Sequence, residues 1–193
     1  VRGMVVRLTD TWTEILRRRA SNSSTGAYAE PVRDMLGEMT AAAALMQANI
    51  KFDGSLVLQI FGDGPVKVAV VEVQPDLARR ATATVVGAVE ANATLSQMVN
   101  VGNEGRCAIT LDPITKFPGQ QPYQGVVPLF DDRRHKIEKI SAVLEHYMLQ
   151  SEQLDTTLVL AANDQVAAGL LIQRLPMQGT ENLSGSMVSR ENE

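Results

Sequence analysis

Between Met39 and Ala48 the chain reads Met-Thr-Ala-Ala-Ala-Ala-Leu-Met-Gln-Ala, a stretch of helix formers with almost no polar face. A helix apolar all round cannot lie on a surface, so it must be covered on every side. Pro31 suits the first turn of that helix, and Val32, Met35, Leu36 and Met39 recur behind it at helical spacing. The alanines allow sheets or helices to approach its backbone closely. The rest of the chain therefore has to supply layers that wrap a central helix, and 193 residues, 45% of them apolar, are enough for one such domain.

The candidate layers are strands. Met4–Leu8 reads as a short one, followed by Thr11-Trp12-Thr13-Glu14, which matches a capping box opening a helix through about Arg19. Phe52–Phe61 and Val66–Val73 form a hairpin around Gly62-Asp63-Gly64-Pro65, whose glycines are expected to supply positive φ. A dinucleotide loop would need a helix after that glycine pair, and a strand follows instead. Thr82–Glu90 is β-like, Thr94–Val99 a helical turn, and Cys107–Leu111 a strand. Residues 116–122 read as a loop, and Tyr123–Leu129, interrupted by Gly125 and Pro128, suits an edge. A helix is expected over Asp132–Gln150, with Ile137, Ile140, Leu144, Tyr147 and Met148 on one face. Thr156–Ala162 and Val166–Leu175 make a second hairpin, apolar on both faces. Hairpins mixed with separate helices, without βαβ alternation, give an α+β class.

Eighteen Lys and Arg against 22 Asp and Glu leave a net charge of −4, which excludes a global field for nucleic acid. No apolar run is long enough to span a bilayer, and the first twenty residues carry five arginines and no signal core, so a cytoplasmic protein without membrane partners is expected. One Cys forms no intrachain disulfide and no Cys-rich zinc site. Cys107, in an apolar run, reads as an inert buried thiol, with a cryptic nucleophile as the alternative. His135 and His146, eleven apart on one helix, would sit about 16 Å from each other, too far to share a metal. No catalytic constellation emerges. Arg17-Arg18-Arg19 reads as a solvated helix end, with a local anion or partner contact as the alternative. The chain opens at Val1 and ends in polar Ser189-Arg190-Glu191-Asn192-Glu193, which suggests a fragment.

The order of the segments carries a resemblance. Val32-Arg33-Asp34-Met35-Leu36-Gly37-Glu38-Met39, Lys51-Phe52-Asp53-Gly54-Ser55-Leu56, Gly62-Asp63-Gly64-Pro65, Tyr123-Gln124-Gly125-Val126-Val127-Pro128-Leu129, Glu145-His146-Tyr147-Met148-Leu149-Gln150-Ser151-Glu152-Gln153 and Gln173-Arg174-Leu175-Pro176 together resemble the heat-shock protein 33 family of redox-regulated holdase chaperones. The resemblance runs from about Arg2 to Pro176. It implies an α+β core of two packed, mainly antiparallel sheets with helices, the Ala-rich helix central, over residues 1–176, with 177–193 the start of a linker or a disordered tail. It also implies ATP-independent binding of unfolding proteins, a possible homodimer, and no cofactor in this chain. Zinc belongs, in that family, to a C-terminal domain with four cysteines, which this chain lacks. Alternation suggests Val57, Phe61, Val71, Val159 and Leu171 as client-facing side chains, because they share parity within their hairpins; the alternative is that all are core. A homomeric interaction module is the competing class.

Overall fold

The computed structural model describes residues 1–115 and 119–174; residues 116–118 of the loop expected at 116–122, and the tail expected at 177–193, lie outside them. The Ala-rich stretch belongs to helix α2, Glu30–Asn49, with Pro31 in its first turn. Every residue from Met39 to Gln47 is buried. One face meets a three-stranded sheet and the opposite face a five-stranded sheet, so the two sheets pack against each other through the helix. Two polar side chains in this interior bond nearby carbonyls: Thr40 Oγ1 donates to the Leu36 carbonyl at 2.6 Å and Gln47 Nε2 to the Gly54 carbonyl at 3.0 Å, while Gln47 Oε1 is buried without a partner.

The small sheet is built from β1 (Arg2–Leu8), β7 (Thr156–Ala162) and β8 (Ala167–Gln173) in the order β1-β8-β7. The large one contains β2 (Gly54–Phe61), β3 (Val66–Val73), β4 (Arg79–Val85), β5 (Arg106–Pro113) and β6 (Tyr123–Pro128) in the order β4-β3-β2-β5-β6. All these pairings are antiparallel. Inward residues such as Leu56, Leu58, Ile60, Val71, Leu158 and Leu171 are almost fully buried against α2. Three further helices, α1 (Asp10–Ala20), α3 (Leu95–Val99) and α4 (Ile140–Glu152), close the flanks. The α+β architecture and the central place of α2 agree with the sequence reading, as do both hairpins and the edge position of β6.

Several local expectations are corrected. The capping box at Thr11 and Glu14 does not form, because α1 starts earlier, at Asp10 after Thr9. Glu14 then lies one turn before Arg17 and Arg18 and accepts from both at 2.7 Å. Those guanidinium bonds hold its carboxyl down at about 2. The capping box the fold does use is at α3, where Thr94 and Gln97 satisfy each other's backbone. Gly62 and Gly64 are absent from the positive-φ residues. They are needed for space: a β-carbon on Gly62 would strike the Val66 carbonyl, and one on Gly64 would lie 2.5 Å from the Met98 carbonyl oxygen.

β4 also departs from expectation, starting three residues early and ending at Val85, since Gly87 at φ 93° turns the chain away. The helix expected from Asp132 begins only at Ile140. Upstream, Asp131 Oδ1 accepts from the backbone N–H of Arg133 at 2.9 Å and His135 at 2.8 Å, and Arg134 adopts φ 64°. This side-chain turn replaces the first helical turns. His135 is therefore outside the helix that carries His146, and its Nδ1 lies 3.2 Å from Asp131 Oδ2.

Two features of α2 generate predictions. Gly37 faces Trp12, a fully buried ring whose Nε1 donates to the Asn163 carbonyl at 2.7 Å. A β-carbon there would lie 2.9 Å from Trp12 Cζ2 and overlap Ala162 Cβ. Gly37→Ala should therefore destabilise by about 1–3 kcal/mol, read in a urea titration, despite alanine's better helix propensity. Burial, aided by the charge of Asp34 and opposed by Lys139, pushes the Glu38 carboxyl from 4.5 up to about 7. A raised carboxyl pKa means that the native state holds the proton longer, so this contribution is complete below 4.5 and disappears as pH rises through about 7. Between about pH 5 and pH 8 the thermal midpoint of Glu38→Gln should gain on that of the wild type, and parallel curves would contradict the assignment.

Candidate functional site

With α2 filling the space between the sheets, each sheet keeps one face for solvent, and the two outer faces differ in chemistry. On the large sheet the outward rows interleave apolar and polar residues. Val57 sits between Glu72 and Thr110, and Phe61 between Val68 and Arg106. Arg80 Nε donates to Glu72 Oε2 at 2.7 Å on the same face. This is an ordinary solvated sheet surface.

The small sheet is different. Register places Gly3, Ile172 and Thr157 in one outward row, Val5, Leu170 and Val159 in the next, and Arg7, Ala168 and Ala161 in the third. Val5 is 77% exposed, Val159 58% and Ile172 41%. Arg7 is the one charge among these nine positions, and it stands at the margin. Strand pairing thus assembles from opposite ends of the chain an apolar surface that no described element covers. Contiguous exposed apolar surface of this kind marks a place where other molecules bind.

The five side chains suggested by alternation do not come together. Val159 lies on the open face, and Val57 and Phe61 lie on the outer face of the other sheet. Val71 and Leu171 point inward and are fully buried. The hairpin registers explain the error: Leu58 pairs with Val71 and Val57 with Glu72, while Leu158 pairs with Leu171 and Val159 with Leu170. Paired positions in both hairpins differ in parity, so residues of equal parity across the turn point to opposite faces. Val5, Leu170 and Ile172 were missed. Their alternation was visible, but the pairing of β1 with β8, more than 160 positions away, was not.

Beside the small sheet, α4 seals one flank. Glu145 Oε1 accepts from the outward N–H of Leu158 at 2.7 Å, and Tyr147 packs on Gly125, where a β-carbon would come 2.5 Å from the ring. Tyr147 OH donates to Glu152 Oε1 at 3.1 Å, and Tyr123 OH reaches the same oxygen at 3.4 Å. Burial and that carboxylate push the Tyr147 phenol upward. Next to this cluster an open cleft of about 490 Å³ is lined by Met46, Ile50, Leu111, Met148, Leu154 and Glu152 among others. Its one acid is engaged by the tyrosines, so the cleft offers apolar contact rather than chemistry.

The candidates for chemistry fall apart on inspection. Cys107 pairs with Ile60 on the inner face, is 1% exposed, and burial pushes its thiol up to about 12. It supplies no thiolate at neutral pH. Among the described residues no three His, Cys, Asp or Glu side chains are grouped to hold a metal. Among the same residues no helix is long and apolar enough to cross a membrane.

The family model described as Hsp33 protein matches residues 1–191. The 33 kDa chaperonin of Chromobacterium violaceum is 45% identical over 176 residues, which are 91% of this chain and 54% of that protein. The 33 kDa chaperonin of Neisseria meningitidis serogroup A is 39% identical, with 91% and 53% covered. This chain spans about half the length of the curated relatives it matches. The crystal structure of the 33 kDa chaperonin from Thermotoga maritima superposes with a TM-score of 0.65 at 18% identity, over 89% of this chain and 56% of that one, and so shares the fold. With a family model that covers nearly its full length and relatives this similar, the chain belongs to the Hsp33 protein family.

Proposed function

We propose that this chain is the client-holding core of an ATP-independent chaperone, a cytoplasmic holdase that keeps unfolding proteins from aggregating. The observation that carries the reading is the open face of the small sheet, centred on Val5, Leu170 and Val159. Apolar contact is non-directional and grows with the area covered, so such a face holds unrelated sequences as long as they expose apolar side chains. Neither nucleotide nor metal is required for that step. Family membership and relatives named as chaperonins support the same assignment.

Redox control is part of the proposal and is placed outside these residues. The sequence has one Cys, and that thiol is buried in the core. A zinc-binding thiol switch would act on this core from a separate domain, by covering or releasing the open face. The homomeric reading draws on the same surface, since a second copy of the chain is also an apolar partner, and measurement of mass against concentration separates it from a monomeric holdase.

Two measurements test the reading. Light scattering from a chemically unfolded model protein, in reducing buffer without ATP, should fall when this chain is added. The suppression should be lost in Val5→Asp/Val159→Asp, whose stability stays within about 1 kcal/mol of the wild type because both side chains are exposed. Leu171→Asp, by contrast, should not fold, since it places a charge in the core. A folded chain with no effect on scattering, or a double variant as effective as the wild type, would remove the assignment. Alkylation of native Cys107 should be slow and should accelerate only on denaturation; rapid labelling of the folded chain would revive the nucleophile alternative.

A further inference from the structure

The arginine run at the end of α1 has two parts with different fates. Arg17 and Arg18, 67% and 76% exposed, share Glu14. Arg19 turns inward: its Nε donates to the Gly26 carbonyl at 3.0 Å, Nη1 reaches the Ala83 carbonyl at 3.4 Å, and the guanidinium lies 4.2 Å above the Tyr28 ring. Across from it, at the start of β4, stands Arg79. Its Nε donates to the Leu77 carbonyl at 3.0 Å, while Nη1 is buried without a hydrogen-bond partner. No carboxylate among the described residues pairs with Arg79 or Arg19, whereas neighbouring Arg80 is neutralised by Glu72.

These groups line one pocket. Arg18, Arg19, Asn22, Arg79, Arg80 and Thr82 line an open pocket against the β4 edge. Glu14 is shared by Arg17 and Arg18 and Glu72 takes Arg80, so Arg19 and Arg79 are the two guanidinium groups of the lining with no carboxylate partner among the described residues. Asn22 adds a donor to the lining. Asn22 Oδ1 already accepts from the Ser24 N–H at 3.0 Å, which leaves its amide N–H groups for the pocket. A guanidinium stays charged when buried, so its partner has to be brought from outside.

We propose that the pocket between the last turn of α1 and the edge of β4 binds a multiply charged oxyanion of the phosphate class. The ligand is defined by what the wall lacks: it must accept from several N–H donors and carry at least two negative charges. Phosphate oxygens meet both conditions, and arginine forks engage them two at a time. Burial alone lowers the Arg79 pKa, in keeping with a cation that has lost water and found no counter-charge. This site does not depend on the chaperone reading.

Calorimetric titration of the full chain with pyrophosphate tests it. Saturable binding that weakens with added salt is expected. Arg79→Gln should weaken it about tenfold or more, Arg18→Gln by less in the same direction, and Arg17→Gln, outside the pocket, not at all. Without ligand, Arg79→Gln should melt no lower than the wild type, because it removes an uncompensated cation. Absence of saturable binding at millimolar pyrophosphate would overturn the proposal, as would wild-type affinity in both pocket variants. Citrate binding as tightly as pyrophosphate would overturn the phosphate assignment. If Arg79→Gln fails to fold, the comparison of Arg18→Gln with Arg17→Gln decides.

Discussion

Everything in this fold depends on one helix being coverable from two opposite sides. A sheet packed on a helix normally leaves the far side of that helix to solvent, and the far side is polar. In α2 the run Ala41–Ala44, with Thr40 turned back onto its own backbone, has no polar side to offer. Small side chains keep the sheets close, and Leu36, Met39, Leu45 and Met46 fill the remaining space. The consequence reaches the surface. Since both sheets spend their inner faces on the same helix, neither is available to cover the other's outer face, and each outer face must be made compatible with water or with a partner.

The two sheets differ in how they meet that requirement. Glu72, Arg80 and Arg106 break up the outer face of the large sheet, where Val57 lies between Glu72 and Thr110 and Phe61 between Val68 and Arg106. On the small sheet Val5, Leu170 and Val159 form an unbroken row across three strands. The second hairpin alone reads as apolar on both faces along the chain, and the register decides which of its residues align with Val5 into one row.

That distinction marks the limit of what could be read from the sequence. The central helix, the two hairpins, the edge strand and the buried thiol were legible because each leaves a local pattern: all-round apolarity, alternation, glycine and proline punctuation. The face occupied by Val71 or Leu171 was not, because it depends on whether paired positions sum to an odd or an even number, and turn geometry sets that over one residue. The start of α4 failed for a related reason. Periodicity at Ile137 continues that of Ile140, but Asp131 captures two backbone N–H groups just upstream, and a carboxylate that bonds the backbone competes with the helix for the same donors. Gly125 and Tyr147, eye-catching in the sequence as parts of separate motifs, turn out to be one contact.

The treatment of strand edges gives the open face its meaning. Unpaired edges recruit other chains through directional backbone bonds, and such recruitment leads to ordered aggregation. Here the edges are blunted: Glu145 occupies the N–H of Leu158 on β7, Tyr28 and Arg19 engage Ala83 on β4, Gly125 and Pro128 interrupt β6, and Arg2 and Arg7 flank β1. Backbone adhesion is suppressed while side-chain adhesion is left open. A surface meant for one partner gains from both, since hydrogen bonds fix register and identity. Under the proposed holdase reading, a surface that accepts any unfolding chain and releases it without seeding a sheet is better served by apolar side chains alone, which is the division the small sheet has.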